Sequence, residues 1–139
     1  MSYVMPQDFV SQMIATGEKK LFMSTRDTLI RSFMGGAILA LAAAMAVTIS
    51  TNTGNPLLGA VFFPIGFIML YLMGFDLLTG VFTLVPFAVI ARRPRRHLGR
   101  HMAQLGGLVF CGNFAGAFTV AVLMAITFTY GFDVAPQRG

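Results

Sequence analysis

Charge is what this sequence has least of. Of its 139 residues only 11% are Asp, Glu, Lys or Arg, where a soluble domain carries roughly 25%. Tryptophan is absent, and the single cysteine, Cys111, lies inside an apolar run, which excludes a disulfide framework. The five acids and two histidines form no cluster with metal-ligand spacing, and neither a nucleophile–base constellation nor a phosphate loop is present. The chain therefore reads as neither an enzyme nor a metal or cofactor protein. What is present is apolar: 56% of residues are hydrophobic and the mean hydropathy is +0.76, the composition of an integral membrane protein. The net charge of +5 raises the question of nucleic acid. The cations, however, cluster between Lys19 and Arg31 and between Arg92 and Arg100, each group beside an apolar span. That is the pattern of cytoplasmic membrane anchoring, and no nucleic-acid partner is expected. Residues 1–31 hold no apolar core, so no cleavable signal peptide is expected either.

The pattern along the chain predicts an all-α membrane fold with three transmembrane segments. Residues 1–28 form a cytoplasmic amphipathic segment in which Phe9, Val10, Met13, Ile14 and Leu21 recur near helical spacing, a helix lying on the membrane surface. A membrane domain follows over residues 29–130. Its first span, about 29–50, is small-sided, with Gly35-Gly36 and the alanine-rich run 40–46, so it should pack closely on other helices. The second, about 56–91, is too long for a single straight crossing of a hydrocarbon core about 30 Å thick. Parity decides its topology: with the N-terminal cations inside, one traversal delivers Arg92–Arg100 back to the cytoplasm, whereas two would place them outside. The second segment is thus expected to be broken at mid-membrane, with Pro64 and Pro86 kinking its two halves. The third span is about 102–128, and residues 131–139 form an extracytoplasmic tail. These features place the protein in the inner (cytoplasmic) membrane, multi-pass, with its N-terminus in the cytoplasm.

The chemistry concentrates at Gly74-Phe75-Asp76-Leu77-Leu78-Thr79-Gly80, inside the longest apolar stretch. A carboxylate there is costly and marks Asp76 as a functional-site candidate. Gly74, Asp76 and Gly80 read as the residues that fix the loop, with Asp76 capping the following half-helix by accepting from the N–H near Thr79. In the third span Gly112 and Gly116 make a small-xxx-small face. Asn113 between them must hydrogen-bond to a neighbouring helix or to a pore. His97 and His101, four apart without acidic or thiol companions, read as solvated loop histidines.

Taken together, Leu58-Gly59-Ala60, Phe63-Pro64-Ile65-Gly66, the Gly74–Gly80 segment and Gly112-Asn113-Phe114-Ala115-Gly116 resemble the formate/nitrite transporter family. Gly17-Glu18-Lys19-Lys20 before the first span is similar to that family's entry into the membrane, and the resemblance covers roughly residues 6–130. It implies an aquaporin-like arrangement in pentamers of six-helix protomers, each with its own pore for formate, nitrite or hydrosulfide. It implies that Leu77, Leu78 and Thr79 lie in the loop that breaks the second helix, with Thr79 at the pore centre and Phe67 and Leu77 at apolar constrictions. The chain resembles only the first half of such a protomer: the second broken helix and the pore histidine have no counterpart. It is expected to be a half-length chain that partners a second half or homo-oligomerises in the bilayer. The alternative is a non-conducting structural or interaction subunit, or a truncated inactive remnant. The residues themselves favour anion handling, because a half-helix N-terminus presents N–H groups and a positive dipole end at mid-depth, with the Thr79 hydroxyl beside it.

Overall fold

Helix boundaries in the computed structural model, which describes residues 5–91 and 98–129, follow local signals in the sequence. The first helix, α1, spans Pro6–Leu21 and starts with proline, whose missing N–H costs nothing in a first turn. Ser24 caps α2 (Thr25–Thr53), its hydroxyl accepting from the Asp27 N–H at 3.1 Å. Gly54 ends α2 in the left-handed region at φ 64°, and Asn55 immediately caps α3 (Pro56–Phe62) through the Leu57 N–H. Pro64 divides α3 from α4 (Pro64–Met73) because it cannot continue the hydrogen-bond ladder. Gly74 closes α4 at φ 70°, residues 75–77 are non-helical, and α5 spans Leu78–Ala91 with Pro86 inside it. The last described helix is α6, Leu98–Phe128. It begins before the expected 102, so His101 is an exposed residue of this helix and not of a loop. Residues 92–97, with most of the expected basic loop, and the tail 131–139 lie outside the described residues.

Among the described residues three helical stretches are long and apolar enough to cross a membrane: Thr25–Thr53, Pro56–Met73 and Gly99–Phe128. They are apolar outside as well as in. Tyr71, Leu72 and Ile90 are each about four-fifths exposed or more, at 85%, 79% and 82%, which fits surroundings of hydrocarbon or of a further protein surface. The buried set is small and the helices associate largely through glycine. On α6, a Cβ at Gly112 would meet Ser32 Cβ at 2.5 Å, and one at Gly116 would run into the Phe33 carbonyl oxygen of α2. A Cβ at Gly36 would collide with the Asn113 backbone in return. Contacts advance together along both helices, from 32 against 112 to 33 and 37 against 116, so α2 and α6 are parallel.

On another side of α2 the contacts run the opposite way. Gly59 meets Ala46 and Ser50, Gly66 meets Ala42 and Ile38, and the Asp76 carbonyl reaches Gly35. Residues 56–77 thus descend antiparallel to α2, and α5 continues past it to α1 and the start of α6. There Val81 and Val85 of α5 and Leu105 and Val109 of α6 form the one buried apolar cluster described, joined by Leu21 and Met102. The N-terminal helix packs on α5 through Gly17, where a Cβ would meet the Leu84 carbonyl and Ala88 Cβ. Amphipathic α1 therefore lies against the bundle along this face as well as being polar on the other.

Candidate functional site

The four residues between α4 and α5 are held by three other elements, and Asn113 is where they meet. Its Nδ2 donates to the Asp76 carbonyl at 2.8 Å and to the Ser32 carbonyl of α2 at 2.7 Å, while its Oδ1 accepts from the Leu78 N–H at 3.0 Å. One amide thereby satisfies both the loop and the first orphan donor of α5, a group that a helix N-terminus cannot satisfy itself. Gly112 and Gly116 on either side let α6 approach α2 closely enough for these bonds to form.

Asp76 is buried, with 5% of its side chain exposed, and Lys20 of α1 pairs with its Oδ1. The expected capping of α5 by Asp76 is accordingly not what the structure shows: the cap at Leu78 comes from Asn113, and the carboxylate faces the ammonium of Lys20. A buried carboxylate gains more from a cation than from one amide N–H. The main chain of Asp76 is fixed as well, its N–H donating to the Arg31 carbonyl at 3.4 Å. Arg31 Nη1 donates to the Gly74 carbonyl at 3.2 Å.

The other predicted residues divide into two groups. Gly74 takes the left-handed turn that ends α4, where L residues are strained. Gly80 does not fix the loop: it lies inside the first turn of α5, and a Cβ there would meet open space. Leu77 and Leu78 are half-buried, and Thr79 is exposed. Phe67 projects from α4, 43% exposed, edge-on to Phe63 at 5.5 Å between ring centres. It joins none of the contacts around Asn113 that are described. A shallow apolar groove between α2 and α6, lined by Leu29, Phe33, Met34, Cys111 and Ala115 among others, contains none of the predicted path residues.

The Thr79 hydroxyl, like that of Thr25 at the start of α2, lacks the bond that threonines deeper in the helices make. Thr48, Thr51, Thr53, Thr83, Thr119 and Thr127 each donate to the carbonyl four residues earlier. Thr79 has no helical turn before it, since Phe75 is in the non-helical segment, and its hydroxyl has no hydrogen-bond partner among the described residues. The result is a free hydroxyl donor in the first turn of α5, next to N–H groups that the helix leaves over.

Lys20, Arg31 and Ser32 were not singled out from the sequence. The signal for Lys20 was present, because a lone acid in an apolar run requires a counter-charge and few cations lie near a span. Nothing in the spacing chose it among Lys19, Lys20, Arg26 and Arg31.

A family model described as formate/nitrite transporter matches residues 7–137. Among curated proteins the chain is similar to an uncharacterized transporter, YrhG, of Bacillus subtilis (strain 168), 28% identical over 127 residues. That match covers 87% of this chain and 47% of the relative, so the chain spans about half the length of the curated relative it matches. No solved structure matches. With the family match running almost end to end over a chain whose helices are long and apolar enough for a bilayer, this membrane protein belongs to the formate/nitrite transporter family.

Proposed function

We propose that this chain forms half of a transmembrane path for small monovalent anions such as formate, nitrite or hydrosulfide, with Thr79 at its centre. The observation that carries the reading is the unpartnered Thr79 hydroxyl at the start of α5, beside an interruption held rigid by Asn113. An anion that has shed water needs donors, and a hydroxyl and leftover N–H groups at a helix N-terminus supply them. The Asp76 carboxylate, which would repel the anion, is neutralised by Lys20. By the family resemblance Leu77 and Phe67 form the apolar constrictions of this path, where the cost of dehydration discriminates by size and charge.

Residues 56–91 act as a single traversal broken near mid-membrane, with α3 and α4 as the outer part and α5 as the inner. The antiparallel run of residues 56–77 along α2 and the parallel pairing of α2 with α6 support this, as does parity of the flanking cations. The remaining wall comes from a second three-span half, either further along the same polypeptide or in another chain, within a homo-oligomer in the cytoplasmic membrane. The test is formate or nitrite flux into proteoliposomes containing the full-length protein. Flux should be lost in Thr79→Val and survive in Thr83→Val, whose hydroxyl already bonds to the Thr79 carbonyl at 2.7 Å. Undiminished flux in Thr79→Val would remove Thr79 from the path.

A further inference from the structure

The groove between α2 and α6 takes no part in the interruption. It measures about 450 Å³, with Leu29, Ile30, Phe33 and Met34 of α2 on one wall and Cys111 and Ala115 of α6 on the other. That volume is ample for a small ligand, yet the walls offer carbon and sulfur and no charged side chain. Polar groups stand at one end of it. Residues 26, 30 and 33 share a stripe of α2, and residues 104, 108, 111 and 115 share a stripe of α6. Arg26 is therefore one turn, about 6 Å, beyond Ile30 towards the start of α2. Since the parallel helices set 32 against 112, Arg26 is level with residue 106, and Gln104 lies about 3 Å further out. Both side chains are exposed, and neither has a partner among the described residues. The acid beside Arg26, Asp27, has a carboxylate oxygen accepting from the Ser24 hydroxyl at 2.8 Å.

Membrane anchoring explains a cation at the start of α2 on any of its faces. It does not explain why that cation and an amide donor stand together at the end of one apolar groove. An apolar helix laid in the groove would fill it and leave both polar groups without partners. A phospholipid matches the apolar walls and the polar end at once. We propose that the α2–α6 groove binds an anionic phospholipid of the leaflet in which α2 begins, an acyl chain lying against Phe33, Met34 and Ala115 and the phosphate meeting Arg26 and Gln104. A guanidinium can bond a phosphate through two parallel N–H groups, and basic pockets between membrane helices take anionic headgroups. This site is separate from the anion path: a protein that conducts nothing would bind the lipid equally well.

The test titrates full-length protein in detergent with phosphatidylglycerol and with phosphatidylcholine, bound lipid being counted by native mass spectrometry. Wild type should prefer phosphatidylglycerol by about fivefold, a preference lost in Arg26→Gln and kept in Arg26→Lys. Ala115→Phe, which fills the groove, should weaken binding of both lipids. Equal binding of the two lipids by wild type, or an undiminished preference in Arg26→Gln, overturns the inference. So does Ala115→Phe binding like wild type, since the headgroup would then be held by the basic collar alone. Should these variants fail to fold, wild-type protein in liposomes still decides. Phosphatidylglycerol with a diazirine in its acyl chain should label residues within 29–34 or 111–115, located by mass spectrometry. Labelling confined to other residues, as when a helix of a second half or of a second copy covers the groove, overturns the inference.

Discussion

Replacing Asn113 tests the architecture of the interruption, and the chemistry of the replacement sets the ranking of outcomes. Asn113 makes three hydrogen bonds, two as donor to the Ser32 and Asp76 carbonyls and one as acceptor from the Leu78 N–H. Interhelical hydrogen bonds within membranes contribute about 0.6 kcal/mol each, and net bonds in proteins about 0.5–1.5 kcal/mol. Asn113→Ala should therefore destabilise the protein by about 2–4 kcal/mol. Asn113→Asp is nearly isosteric and retains an acceptor for Leu78, yet it places carboxylate oxygen where Nδ2 faces two carbonyls. It exchanges two attractive contacts for repulsive ones and adds a charge with no cation assigned to it. Asn113→Asp should thus be at least as damaging as Asn113→Ala, despite its closer shape. Pulse proteolysis along an SDS titration in mixed micelles measures both against wild type. Asn113→Asp with wild-type stability would refute the donor role, and with it the reason the loop and α5 stay in register.

Three further outcomes follow from the packing and charge. Gly36→Ala and Gly116→Ala should each disrupt the α2–α6 pairing, since a Cβ at either position strikes backbone of the facing helix. Gly80→Ala and Gly107→Ala, where a Cβ meets open space, should be neutral or stabilising by up to about 1 kcal/mol in thermal scans in detergent. Lys20→Met strands the buried Asp76 carboxylate and should cost about 3–5 kcal/mol. The double variant with Asp76→Asn should recover most of that loss, and a double variant no better than Lys20→Met would contradict the pairing. In a Cys111→Ser background, a cysteine at position 100 should label only from the cytoplasm and one at position 53 only from outside; the opposite pattern would undo the proposed topology.

How legible the fold and site were depended on whether the information was local. Gly54, Asn55-Pro56, Pro64 and Gly74 each end or start a helix through their own backbone chemistry, and each does so where the sequence places a turn or kink. The α2–α6 contact was readable as small residues at four-residue spacing, though spacing alone does not say that Gly112 faces Ser32 or that Gly36 faces Asn113. The Lys20 partner of Asp76 is not legible in the sequence, because a cap is a local motif and a distant counter-ion is not. Lys20 lies 56 positions away, and only the packing of α1 on α5 through Gly17 brings it near. The same holds for the α5 cap, which comes from Asn113, 35 residues further on. Thr79 was singled out by resemblance, and its free hydroxyl has a local cause, namely that no helical turn precedes it.

Whether Thr79 lies on an anion path is read most directly from flux through the full-length protein in sealed liposomes. Formate or nitrite uptake should exclude sodium, survive Thr83→Val and be lost in Thr79→Val. Uptake that is the same in Thr79→Val as in wild type, or that does not distinguish sodium from formate, would contradict that reading.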